Sequence, residues 1–282
     1  MMKKTFVASI VVALVMAVAM VPGVSLANVN VQGIAQMSWN INCPNCSTPP
    51  FPSVNWIIPP PPDPNGADTR GSFSGLQLYL NGTPYDDGVS IEGVPWALTG
   101  LSTTLADVTG NVYGSGNNVP DLGVQEAISS IAIGGYSTAS VDIAQAVLSG
   151  QFTVSANTPL DIAAEYLLQM SLFNALAGES SYVDVSVGLT LSNFVTGAEL
   201  ASDSRFFPLS LVDAGSDSFF LGFGAQNYTP LQLTYALVPG VTYDFEAQAS
   251  TAARATSVPE PMSLILLASG LAGLAIFRKR FA

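Results

Sequence analysis

Carboxylates and two cysteines are the side chains of this chain that could carry proton, redox or metal chemistry, because it contains no histidine. Without imidazole, Ser-His-Asp and Cys-His activation, histidine acid–base catalysis and His-ligated zinc are excluded. Paired carboxylates could still hydrolyse a glycosidic bond. The candidates are Asp86 or Asp87 with Glu92, but Asp86-Asp87-Gly88 is turn chemistry first, and acids in so turn-rich a stretch are solvated. Asp63-Pro64-Asn65-Gly66-Ala67-Asp68 faintly resembles a calcium loop. Its ligands fall at the first, third and sixth places, and Ala67 occupies the fifth, where such a loop needs an oxygen. It reads as a turn. Cys43 and Cys46 form Cys-Pro-Asn-Cys. In an oxidising compartment they could close a local disulfide. A redox dithiol usually sits where a strand meets a helix start, and prolines crowd this one. Free thiols, or pairing with another chain, are the third reading. No second cysteine pair exists to complete a zinc site. Neither a Gly-x-Gly-x-x-Gly nor a Walker loop occurs. No catalytic residue, metal or cofactor is therefore expected.

The elements that would position such groups are strands. Val183, Val185, Val187, Leu189 and Leu191 alternate with polar residues or glycine, which buries one face and wets the other. The pattern recurs at Leu231, Leu233, Tyr235 and Leu237, and again at Val241, Tyr243, Phe245, Ala247 and Ala249. Pro239-Gly240 lies between these two runs and predicts a hairpin. Leu160 to Leu172 alternates over seven apolar positions, yet Thr158-Pro159-Leu160-Asp161 looks like a helix start. The alternation favours a strand. Residues 29–41, 76–80, 94–98 and 151–155 are further strand candidates, whereas Gly114-Ser115-Gly116-Asn117-Asn118 has linker composition. Pro59 to Pro62 force polyproline geometry. Together these predict an all-β fold, an antiparallel β-sandwich of jelly-roll type. The expected core is 124–258, with a proline- and glycine-rich part, 28–123, laid over it.

Both ends of the chain point to a membrane. Lys3 and Lys4 precede an apolar run over 5–21, Pro22-Gly23 break it, and Ser25-Leu26-Ala27 offers small residues for a signal peptidase. Residues 1–27 are the expected signal peptide. At the other end Pro259, Glu260 and Pro261 stand before an uncharged apolar run over 262–277, followed by Arg278, Lys279 and Arg280. The prolines interrupt helix at the junction, and the cations resist transfer across a membrane. Sixteen residues of helix span about 24 Å, short of a ~30 Å hydrocarbon core, which suits a temporary anchor. Between them, residues 28–258 hold 19 acids against Arg70, Arg205 and Arg254, a balance of −16. Such a body is repelled by nucleic acid and by anionic lipid.

The order of tag, apolar run and basic cluster over 259–282 resembles the C-terminal signal of the PEP-CTERM family of exported bacterial proteins. Ser263, Leu264 and Gly270-Leu271-Ala272-Gly273 fit it too. The resemblance implies a transmembrane sorting helix, recognition of Pro259, Glu260 and Pro261 by an exosortase, and a stop-transfer role for Arg278, Lys279 and Arg280. It implies an inner-membrane precursor in a Gram-negative envelope, processed by signal peptidase and exosortase. The mature form would lie on the surface or in an exopolysaccharide-rich biofilm matrix. A non-enzymatic matrix protein is the first expectation. The alternative is a carbohydrate-binding module using Trp39, Trp56, Trp96, Tyr113, Tyr136 or Tyr228 as aromatic platforms for extracellular polysaccharide.

Overall fold

The period-two runs become paired strands. A computed structural model describes residues 29–42, 54–57, 73–86, 101–105, 108–116, 122–134 and 137–258, and among them it contains strands and no helix. The strands are β1 (Val29–Asn42), β2 (Val54–Ile57), β3 (Phe73–Leu80), β4 (Thr83–Asp86), β5 (Leu101–Leu105), β6 (Val108–Gly116) and β7 (Leu122–Ile133). They continue with β8 (Ser137–Val154), β9 (Thr158–Asn174), β10 (Ser180–Asn193), β11 (Glu199–Val212), β12 (Gly215–Gly222), β13 (Leu231–Leu237) and β14 (Thr242–Ser257).

Two antiparallel sheets result. One runs β12-β9-β1-β7-β6-β5, with β13 also on β9; the other runs β11-β10-β14-β8-β3-β4, with β2 also on β8. The inward residues of both sheets form one core. Trp39 meets Phe245 edge-on with ring centroids 5.0 Å apart, and Phe152 stacks on Tyr243 at 5.4 Å. Burying side chains of this size stabilises by about 1.5–3 kcal/mol each. Some of the polar groups inside link neighbouring strands and the two sheets. Ser129 Oγ lies 2.9 Å from Thr251 Oγ1, which donates to the Asp184 carbonyl at 2.8 Å, and Gln125 Nε2 donates to the Ala247 carbonyl. β8 carries one extra residue at Asp142. Thr251 pairs with Ala144 and Ala253 with Val141, while on the other side Gln77 pairs with Ile143 and Leu78 with Val141. Such a bulge bends its strand and re-aims the side chain.

Residues 158–174 form a strand throughout, so alternation outweighs the helix-start signal. Three expectations need correction. First, β1 lies at the centre of its sheet, between β7 and β9, with Val29, Ala35 and Trp39 buried. It belongs to the core, although it falls in the 28–123 part that was expected to cover a core of 124–258. Second, β13 and β14 are no hairpin: β13 pairs with β9 in one sheet, β14 with β8 and β10 in the other. Pro239-Gly240 is a corner between sheets, with Gly240 at φ 82°. Third, Gly114, Ser115 and Gly116 are strand, paired with Gln125, Val124 and Gly123. Among the described residues no helix is long and apolar enough to cross a membrane. The expected sorting helix, 262–277, lies outside them, as do strand candidate 94–98 and the proline run 59–62.

Candidate functional sites

The first site is the end of β14. This strand is central, flanked by β10 and β8, and it stays paired to its last residues: Thr256 opposite Ser180 and Thr138, Ser257 opposite Ser137. Ser257 is buried at 1% exposure. The Ser137 N–H donates to Ser257 Oγ at 3.3 Å, and the two hydroxyls lie 3.2 Å apart. Val258 follows, and its Cγ1 would lie 3.8 Å from a side chain at Gly178. Nothing in the alternation of residues 241–249 signals how far the pairing runs; the strand continues through Ala249–Ala253 and Ala255, all small, with Arg254 among them.

A family model, the PEP-CTERM protein-sorting motif, matches residues 257–280. The chain carries the PEP-CTERM sorting signal. The signal marks an exported protein whose membrane-associated precursor is processed by an exosortase. No curated protein matches the chain significantly. Pro259, Glu260, Pro261, Arg278, Lys279 and Arg280 fall within this match and outside the described residues. Cys43, Cys46, Asp87 and Glu92 also lie outside them, and Asp86 ends β4. Among the described residues no group of three or more His, Cys, Asp or Glu could hold a metal ion.

The second site is where an aromatic and polar cluster closes one edge of the sandwich. Tyr228, on the connection between β12 and β13, packs on Tyr166 of β9 with ring centroids 5.0 Å apart, and Phe223 meets Tyr228 at 6.4 Å. The Tyr166 N–H donates to the Tyr228 hydroxyl at 3.2 Å. Phe223 is 79% exposed. Beside them Arg205 of β11 donates to Asp203 at 2.5 Å and to Thr229 Oγ1 at 3.3 Å, and the Gln232 N–H donates to the other Asp203 oxygen at 2.9 Å. Partial burial opposes the Arg205 charge, but its interactions with Asp203, and then with Tyr166, together outweigh this and raise its pKa further. Burial raises the Tyr228 phenol above its usual range. The cluster offers one exposed ring, one half-buried ring and fixed polar donors. Of the other expected platforms, Trp39 is core at 1% exposure. Trp56 and Tyr113 fall on β2 and β6, while Trp96 and Tyr136 lie outside the described residues. Sequence alone pointed to Tyr228 but not to Phe223, Arg205 or Asp203, whose proximity comes from pairing between distant strands.

A third feature is a cleft of about 200 Å³ at the β8 bulge, lined by Asp142, Gln145, Asp184 and Ser250 among others. Tyr182 donates to Asp184 at 2.9 Å, and Arg254 pairs with Asp142 at 3.6 Å. Burial first, and then the bond to Asp184, raise the Tyr182 phenol above its usual range.

Proposed function

We propose that this PEP-CTERM protein is a non-enzymatic β-sandwich delivered to the surface or exopolysaccharide matrix of a Gram-negative cell. The observation that carries the reading is the sorting motif at 257–280, which begins on the last residue of a central strand. Signal and body are thus one continuous design, a folded cargo with its delivery tag. The wiring supports a jelly-roll type of sandwich: β7, β8, β9 and β10 alternate between the two sheets, and the return to the first sheet runs through β12 and β13. The strongly acidic body suits a protein that must stay dispersed among anionic polymers.

Replacing Pro259 and Pro261 by alanine lets helix continue across the junction, since alanine restores the missing donor and removes the ring clash. The expected result is a variant that is exported and inserted but accumulates uncleaved in the membrane fraction. Release of mature protein at the wild-type rate, or an intact C-terminal Arg-Lys-Arg peptide in mass spectra of native surface material, defeats the sorting reading.

A second reading rests on Phe223 and Tyr228. A ring 79% exposed beside a fixed arginine and two hydroxyls is a surface on which a sugar could stack. Under this reading the body binds matrix polysaccharide. Calorimetric titration with that polysaccharide, comparing wild type with Phe223→Ala, tests it: no heat of binding in the wild type eliminates the reading.

A further inference from the structure

We infer that the pole of the sandwich where β1 begins and β14 ends is the face that the membrane-held precursor turns to the lipid headgroups. The inference rests on the sorting reading, with 262–277 as the anchor, and goes beyond it to orientation. The register fixes which residues share this pole. Val29 pairs with Ile133 and with Asn174, so the start of β1 lies level with the ends of β7 and β9. Ser257 pairs with Ser137, and Thr256 with Ser180, so the end of β14 lies level with the starts of β8 and β10. The connection 175–179 joins the end of β9 to the start of β10 across the sheets. Val212 pairs with Ser180 and Gly215 with Asn174, which adds the turn at Asp213 and Ala214. The two turns are tied together: the Gly178 N–H donates to Asp213 Oδ1 at 2.7 Å, and the Asp213 N–H donates to the Glu179 carbonyl at 2.9 Å.

Chain length then sets the distance. Four residue steps separate Val258 from Met262, the first residue of the apolar run. Fully extended they reach about 14 Å. The headgroup layer on each side of a bilayer takes up roughly 5–7 Å of that. A strand paired on both sides as far as Thr256, and to β8 at Ser257, cannot unwind to lengthen the tether without breaking its ladder. The pole is therefore held within about one strand diameter to one sheet thickness of the headgroups. The seating is imposed by the tether and not by attraction, since the body is acidic and anionic lipid repels it. The same geometry makes release one-step: once the tether is cut, nothing charged on the body holds it at the membrane.

The opposite pole gives the comparison. Asn193 pairs with Tyr243, so the turn 194–198 lies some fourteen residues of β14 away, about 45 Å along the strand. Val195 in this turn is 79% exposed, and Ala177 in the near turn is also exposed.

The test uses the full chain with Pro259 and Pro261 replaced by alanine to hold it in the membrane, and with Cys43 and Cys46 replaced by serine. Into this background go Ala177→Cys or Val195→Cys, and intact spheroplasts are treated with a polymer-linked maleimide. Val195→Cys is expected to react at least tenfold faster than Ala177→Cys. A flexible Gly-Ser spacer of about twenty residues between Val258 and residue 259 should remove that difference, since such a coil reaches roughly 25 Å. Equal reactivity of the two cysteines without the spacer overturns the orientation. Protein missing from the membrane fraction in all variants defeats the sorting reading itself, so the two failures are distinct.

Discussion

Gly33 reports how closely the sheets approach. It sits mid-β1, and a Cβ there would fall on Thr251 Oγ1 and within 2.6 Å of Val183 Cγ2. Thr251 in turn links Ser129 to the Asp184 carbonyl. Gly33→Ala must push β14 and β10 outward and break that chain of bonds. We expect a loss of about 2–3 kcal/mol in urea unfolding of the mature protein. Unchanged stability would mean that the sheets are further apart than described. Glu246 works in the opposite direction. It faces outward on β14, but burial, and then the neighbouring Asp244 carboxylate, raise its pKa. A carboxyl with a raised folded pKa contributes stability below its unfolded pKa and loses it as pH rises through the folded value. Glu246→Gln should therefore raise the unfolding temperature relative to wild type at pH 7, with the difference shrinking by pH 4. A constant difference at both pH values would count against the burial. At this scale the sequence is least informative. Glycine at 33 and glutamate at 246 look like any strand residues until their cross-sheet neighbours are known.

The corner at Pro239-Gly240 shows what a strand pattern does and does not declare. Two alternating runs joined by a two-residue turn satisfy every local rule for a hairpin. Alternation states that each run has one buried face. It does not state which sheet the run joins, and two runs can face the same core from opposite sides. Here the Tyr243 hydroxyl settles the corner, accepting from the Val238 N–H at 2.8 Å and lying 3.3 Å from the Val238 carbonyl. Tyr243→Phe keeps the ring against Phe152 but leaves that N–H without its acceptor. The expected cost is about 1–2 kcal/mol in thermal or urea unfolding, with little change in far-ultraviolet circular dichroism. A neutral substitution would show that the turn holds itself. The edge strand β11 was invisible for a different reason: its outward positions include Phe206 and Val212, 60% and 69% exposed, which blur the apolar–polar alternation. Its neighbour across the gap is instead fixed by Asp203, which accepts from the Gln232 N–H. Asp203→Ala should speed amide exchange at Gln232 several-fold while leaving the β1 amides slow; uniform acceleration would indicate global loosening instead.

For the whole molecule the informative fact is that a strand some 80 residues upstream of the expected core fills the centre of one sheet. Strands β9, β10, β13 and β14 were legible because each buries apolar residues at period two over several positions. The role of β1 was not, because alternation along β9 declares its buried face and gives no sign of which strand must pair beside it. Without β1, both β7 and β9 would expose a long flat edge of unpaired N–H and C=O groups, and Trp39 would be gone from the contact with Phe245. A fragment of residues 124–258 should therefore fail to fold, showing no cooperative thermal transition and aggregating on concentration. The topology also says how to rescue it. β1 begins and β14 ends at the same pole, on facing sheets about 10 Å apart. Residues 29–42 appended after Val258 must return from that pole and run back between β7 and β9, in the direction β1 already takes. A flexible linker of about eight residues covers the step across the sheets. The rearranged chain should regain a cooperative transition and the near-ultraviolet signal of a fixed Trp39. A cooperative transition in the unmodified fragment would place the folding unit in 124–258 after all, with β1 an addition to a sandwich that can stand alone.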